Sequence, residues 1–141
     1  MTYLILDTNI LVSALWQNRK HGKPSLLLGL CIERHYGWVY TASIYREYEA
    51  VLSRPKFGFD EAEVEAILKI VRTIGLCADP VSRGLSSPSC ADADDQKFYD
   101  AARSWDAILI TGNKKHFPED ERVKTPAEFL ANRLIDIPLN N

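Results

Sequence analysis

Short apolar runs without internal polar positions, separated by stretches of helical spacing, constrain this chain more than any other feature of its sequence. Tyr3 to Leu6 is the first run, Trp38 to Tyr40 the second, Leu76-Cys77 a third, Ala107 to Ile110 the fourth, and a weaker one falls near Val123. A strand with one wet face alternates apolar and polar residues, whereas an unbroken apolar run has both faces covered, as parallel strands do. The pattern predicts an α/β fold in three layers, a central parallel sheet flanked by helices. With 141 residues the chain has the length of a single domain, spanning 1–141. Such a chain buries roughly two-thirds of its unfolded surface, enough for an apolar core without a disulfide or structural metal.

Helix starts and stops are legible between the runs. Pro24 stands where a first-turn proline belongs, ahead of Leu26, Leu27, Leu28, Leu30 and Ile32; its fixed φ suits a helix start and its missing N–H is no loss there. Asp60 followed by Glu63 has the pattern of a capping box, opening a helix through Ile74 with Gly75 as its stop. Pro126 opens a last helix that carries Phe129 and Leu130. From Asp79 to Asp92, two prolines, a glycine and four serines predict one long loop.

Seventeen Lys and Arg against nineteen Asp and Glu leave a formal net charge of -2. The molecule is no polycation, so any nucleic-acid contact must be local. Cys31, Cys77 and Cys90 are odd in number and widely spaced, with no C-x-x-C pair, which predicts reduced and mostly buried thiols. His21, His35 and His116 are too scattered for a zinc site. No apolar run approaches the length of a membrane span, and the amino end enters a strand without a basic stretch, signal segment or cleavage site. A cytoplasmic protein with no membrane association is the expectation.

Asp7 directly follows the first apolar run, which puts it at the carboxyl end of the first strand, where open parallel sheets receive their ligands. The plainer alternative is a cap, because Asp7, Thr8 or Asn9 can each open a helix through Ile10, Leu11 and Val12. Glu47 falls in a helix predicted from about Ser43 to Arg54, with the apolar stripe Ile44, Tyr48, Val51 and Leu52. It stands on the shoulder of that stripe, while Glu49 turns toward solvent. A carboxylate so placed needs a partner, and Arg54 is the candidate for an ordinary salt bridge. Asp92, Asp94 and Asp95 precede a helix whose inner face is Phe98, Ala101, Ala102 and Trp105, and Asp94 and Asp95 fall on that inner side. One acid would serve as a cap or complement the helix dipole. Three so close together exceed that need, and their repulsion raises at least one pKa unless a cation is bound. The fourth strand ends in Thr111-Gly112-Asn113, then Lys114-Lys115-His116-Phe117. In a parallel sheet this turn shares the edge of Asp7, Gly112 lets the backbone turn tightly, and the lysines are either solvated or phosphate contacts.

Four segments in this order resemble the PIN domain: Leu6-Asp7-Thr8-Asn9, the stretch from Arg46-Glu47-Tyr48 to Arg54-Pro55, Asp92-Ala93-Asp94-Asp95-Gln96-Lys97-Phe98, and Ile110-Thr111-Gly112-Asn113-Lys114-Lys115-His116-Phe117. The resemblance runs from Thr2 to about Leu130 and is nearest to PIN proteins described as toxin components of toxin-antitoxin pairs. It implies a PIN-like fold and a Mg²⁺- or Mn²⁺-dependent ribonuclease acting on RNA, with a cognate antitoxin and a homodimer as partners. Position by position, it implies that the family's acids fall on Asp7, Glu47 and Asp95, with Asp92 and Asp94 as further metal ligands from the same motif. The frequent fourth acid falls on Asn113, whose amide oxygen can hold an ion or a water but brings no charge.

Mg²⁺ takes hard oxygen donors, often one or two carboxylates plus waters and phosphate, so no Cys or His is required. Asp7 and Asp95 are then the ligands, Glu47 a ligand or the group that positions the attacking water, and Asn113 an orienter. Thr8, Asn9 and Thr111 support the first acid or the phosphate. Lys114, Lys115, Arg54 and Lys56 form a local cationic rim for the RNA backbone. Two other readings compete. A phosphatase of the haloacid dehalogenase type carries a second Asp two positions after the first, where this chain has Asn9. A PIN-fold protein that binds RNA or a partner without cutting is favoured by the neutral Asn113.

Overall fold

The structure is a computed structural model that describes residues 1–16, 22–81 and 88–133. Positions 82–87 of the expected long loop, and His21, fall outside the described residues. Strands β1 (Tyr3–Leu6), β2 (Gly37–Tyr40), β3 (Leu76–Cys77), β4 (Ile108–Ile110) and β5 (Val123–Lys124) pair in parallel in the order β3-β2-β1-β4-β5. The register sets Tyr3 beside Gly37, Leu6 beside Ile110, Val39 beside Leu76 and Leu109 beside Val123. Helices α1 (Thr8–Leu15), α2 (Lys23–Ile32), α3 (Ala42–Leu52), α4 (Glu61–Ile74), α5 (Gln96–Trp105) and α6 (Pro126–Arg133) flank the sheet, giving the three-layer α/β architecture that the apolar runs imply.

The strand order moves one way from β1 to β3, then jumps back across β1 to β4. Parallel crossovers are right-handed, so the reversal carries α5 to the face opposite the α1–α2 connection. Open parallel sheets take their ligands at such a reversal, outside the carboxyl ends of the strands, and Asp7 stands at that end of β1 beside β4. β1 is the axis of the core, with Leu4, Ile5 and Leu6 fully buried. Burying each such side chain contributes about 1.5–3 kcal/mol. α5 lies against β1 and β4 through Phe98, Ala101 and Ala102, all fully buried. The two alanines let the helix approach closely, and a larger residue at either position would overpack the layer.

α3 is tied down at its start and middle. The Thr41 hydroxyl oxygen accepts from the Ile44 amide at 3.1 Å, and Asp79 accepts from the Ala42 amide at 2.7 Å. One turn further on, the buried Tyr48 hydroxyl donates to the Leu6 carbonyl at 2.5 Å and accepts from the Trp38 indole at 3.4 Å. The residue next to Glu47 thus fastens α3 to the last residue of β1. The helix stops at Leu52, short of the expected Arg54.

The run at Leu76-Cys77 forms a two-residue edge strand, and both side chains are exposed. An edge strand has a neighbour on one side only, so an apolar run there does not guarantee cover on both faces. The expectation of mostly buried thiols fails at this point: Cys31 is buried and Cys90 half-buried, but Cys77 is exposed, and none of the three is in a disulfide. Among the described residues no helix is long and apolar enough to cross a membrane.

Candidate active site

Asp7 occupies the N-cap position of α1 by its backbone, yet its side chain makes no capping bond to the helix. It turns instead toward β4. The Thr111 hydroxyl donates to Asp7 Oδ2 at 2.7 Å, and the Asn9 side-chain amide donates to the same oxygen at 3.3 Å. Asp7 is only 7% exposed. Burial pushes its carboxyl up to about 6; the Thr111 hydrogen bond pulls the other way, and the charges of Asp95 and Glu47 add to the rise. A plain cap requires none of these arrangements.

The ends of β1 and β4 are stitched together around this acid. The Asp7 amide donates to the Ile110 carbonyl at 2.9 Å. Fully buried Thr111 also accepts from the Asn113 amide at 3.0 Å, and Asn9 Oδ1 accepts from the Gly112 amide at 3.2 Å. The chain bends at Gly112 as expected, but without a backbone conformation that requires glycine. Its φ is not positive, and a Cβ there would meet Asn9 Oδ1 at 3.6 Å, an ordinary contact.

Glu47 is half-buried, and both its carboxylate oxygens are engaged. Oε2 accepts from the Thr8 hydroxyl, and Oε1 pairs with Lys97 Nζ at 2.7 Å. The expected partner, Arg54, lies beyond the end of α3, and among the described residues Glu47 pairs with Lys97 instead. Glu49 is exposed, as its helical phase requires. Lys97 is the residue the sequence left without a role. Its signal was a cation in the first turn of a helix, where the dipole favours anions.

Asp95 is half-buried beside this pair. Its carboxyl is raised first by burial, then by Asp92, with His116 opposing, Glu47 adding and Lys97 relieving. His116 Nδ1 stands 3.7 Å from Asp95 Oδ2. Asp92 caps a single 3₁₀ turn, Ala93–Asp95, through a 2.9 Å bond from the Asp94 amide to its Oδ1. Both Asp92 and Asp94 are exposed. Asp94 was expected on the inner side, but a 3₁₀ turn has three residues per turn and breaks the phase counted back from Phe98.

The cationic residues divide. Lys114 and Lys115 follow the carboxyl end of β4 in a 3₁₀ turn, Lys114–His116, where Lys114 pairs with Glu128 of α6 at 3.1 Å and Lys115 is exposed. Arg54 and Lys56 sit past the far end of α3, with Lys56 Nζ 5.1 Å above the Phe57 ring. Among the described residues neither forms an ion pair or hydrogen bond with Asp7, Glu47 or Asp95.

Among the described residues no group of three His, Cys, Asp or Glu side chains is arranged to hold an ion by itself. Mg²⁺ needs no such cage, since it keeps several waters and takes one or two carboxylates. The donors present are hard oxygens, and Asp7 and Asp95 are displaced upward first by burial and then by the charges of neighbouring acids. A hard divalent cation in place of a proton suits that donor set.

Fold and site together define the class of three-layer α/β proteins with a carboxylate site at the switch point of the sheet. The sequence profile of the PIN domain matches residues 3–115, a span that includes Asp7, Glu47, Asp95 and Asn113, and the chain belongs to the PIN domain family. PIN domains are typically nucleases and generally use divalent metals. The chain is also similar to an uncharacterized protein of Methanocaldococcus jannaschii, 29% identical over 139 residues that cover 90% of this chain and 88% of that protein.

Proposed function

We propose that this protein is a Mg²⁺- or Mn²⁺-dependent endoribonuclease and the toxin component of a toxin-antitoxin pair, acting in the cytoplasm. The observation that carries the reading is Asp7, a carboxyl only 7% exposed that faces both Asp95 and Glu47. Such a group is comfortable as an anion only when a cation shares its site. Asp7 and Asp95 would hold the ion, which when bound supplies an activated water and neutralises charge at phosphorus. Thr111 and Asn9 fix the Asp7 carboxylate before anything binds. Glu47, held by Thr8 and Lys97, positions the attacking water. Asn113 orients the phosphate or a water, while Lys115, with Lys114 beside it, meets the RNA backbone. Trp16, Leu26 and Ile32, exposed by 42%, 50% and 45%, support self-association through the first helices or docking of a cognate antitoxin.

The test is incubation of single-stranded RNA with the purified protein and Mn²⁺ or Mg²⁺. Internal cleavage is expected with either ion, and none with a chelator or with Asp7→Asn. Full cleavage in excess chelator would sink the reading. Two observations favour a second reading, a PIN protein that binds RNA without cutting: position 113 carries no charge, and both oxygens of Glu47 are already engaged. Retention of RNA with no product in either metal would select it.

A further inference from the structure

We propose that Lys97 is a positioning residue that stands in for a second cation: it neutralises Glu47, keeps that carboxylate from ligating directly, and sets the site for one divalent ion. The proposal rests on the metal-dependent reading above, and its test separates the two.

Both Glu47 oxygens are engaged, one by the Thr8 hydroxyl and the other by Lys97 at 2.7 Å. Each keeps a lone pair, but a divalent ion ligated there would stand beside the Lys97 ammonium, and their repulsion opposes direct ligation. Lys97 is itself held from several sides. Its Nζ also donates to the Asp94 carbonyl at 2.6 Å and lies 5.2 Å above the Phe98 ring. The two side chains of the pair are each 24% exposed. That degree of burial removes much of the solvent screening that makes surface ion pairs nearly worthless. It also means that deleting the lysine leaves an under-solvated carboxylate seeking another cation.

Position supplies an independent argument. Lys97 sits in the first turn of α5, against the helix dipole. A choice that is locally unfavourable persists where the surroundings reward it, and here the reward is Glu47. The charges then balance in a particular way. Asp95 and Glu47 both bear on Asp7, and Asp92 and Glu47 on Asp95; Lys97 cancels Glu47, exposed Asp92 is left to solvent, and a single divalent ion matches the pair Asp7 and Asp95. The neutral Asn113 adds nothing that would call for a second ion.

The experiment is calorimetric titration of Mn²⁺ into the parent, Lys97→Met, Lys97→Arg and Asp7→Asn. The parent takes one equivalent, Lys97→Arg behaves like it, and Asp7→Asn takes none. Lys97→Met binds roughly tenfold more tightly, the scale of removing a like charge near a partly solvated ion, or gains a second equivalent. Unchanged binding by Asp7→Asn would defeat the metal reading itself. If Asp7→Asn is silent but Lys97→Met overlays the parent or binds more weakly, only the role given to Lys97 falls. Repeating the pair in a Glu47→Gln background adds a readout that a purely structural lysine would not move: the Lys97→Met effect should vanish there. Its survival at full size would mean that Lys97 does not act through Glu47. Should Lys97→Met not fold, Lys97→Gln keeps a donor for Glu47 without the charge and carries the same comparison.

Discussion

Asp120 and Asp7 are both carboxylates placed in turns at strand ends, and their surroundings push them in opposite directions. Asp120, ahead of β5, accepts from the Tyr99 hydroxyl at 2.8 Å and the Arg122 amide at 3.0 Å, and pairs with the Arg122 guanidinium at 3.4 Å. Arg122 also reaches Asp106 at 3.1 Å. Burial acts to raise the Asp120 carboxyl, but the Arg122 amide, the Tyr99 hydroxyl and the charges of Arg122 and Arg103 outweigh it, and Asp120 stays below the ordinary carboxylate range. Asp7 also accepts hydrogen bonds, yet burial outweighs them, its charged neighbours are other acids that add to the rise, and it reaches about 6. An acid that secures the fold comes with its own cation. One that the fold leaves short of a cation is suited to take one from solution.

The largest expected effect separates these two clusters by activity. Asp7→Asn and Asp95→Asn should each lower RNA cleavage to about a hundredth of the parent rate or less, the consequence of losing roughly 3 kcal/mol of metal-derived stabilisation. Asp120→Asn should leave the rate within about twofold, because nothing links it to the reacting phosphate. Single-turnover kinetics on the purified variants decides this. Equal losses in Asp7→Asn and Asp120→Asn would erase the distinction. Glu49→Gln, on the solvent side of α3, is the internal control for Glu47→Gln, and equal damage from both would mean that the helical face is misassigned.

Stability should respond in the opposite order. The folded-state pKa of Asp7, about 6, lies above the unfolded value of 3.8. The folded protein therefore holds the proton more tightly, and the stability tied to Asp7 is full below the unfolded value and lost as pH rises through about 6. Metal-free Asp7→Asn, neutral throughout, should then be more stable than the parent near pH 7.5 by about 2 kcal/mol, with the gap closing toward pH 4. Asp120 has a lowered pKa, so its contribution is present above the unfolded value and disappears as pH falls through the folded one. Asp120→Asn should cost about 1–2 kcal/mol near neutral pH. Calorimetric melting across pH 4 to 8 reads both signs, and an Asp7→Asn variant less stable than the parent at every pH would contradict the account.

Smaller effects probe the rim. Asn113→Asp should lower metal-free stability by about 0.5–1 kcal/mol and gain more than the parent does on adding Mn²⁺. No difference from the parent in metal-dependent melting would put position 113 outside the site. Lys115→Ala should reduce the salt dependence of RNA affinity by about one phosphate contact, and Lys114→Ala by less, since Glu128 already shares its charge. An unchanged slope in both would take the lysines off the binding surface.

Much of this arrangement could be read from the chain, and the exceptions have physical causes. β1 and β4 are legible because both are buried in the middle of the sheet, and the inner face of α5 is legible because Phe98, Ala101 and Ala102 keep helical phase. Phase failed one turn earlier, at Asp94, where the 3₁₀ turn resets the count. Edge strands escape the both-faces rule, which hid the exposure of Cys77. Partners across the fold were the least legible: the sequence placed Glu47 on the right shoulder of α3 but offered a near neighbour, Arg54, in place of Lys97, fifty residues on. Nothing local marks the Tyr48 bond to the Leu6 carbonyl, although it carries Glu47 to the end of β1.

The central claim is that the cluster around Asp7 is made to be neutralised by a divalent ion, and thermal melting near pH 7.5 with and without Mn²⁺ tests it most directly. At an ion concentration of about 100 times Kd, the parent and Asp120→Asn should each gain about 2.7 kcal/mol, while Asp7→Asn should gain nothing. A parent that melts identically with and without Mn²⁺, or an Asp7→Asn variant that gains as much as the parent, would contradict it.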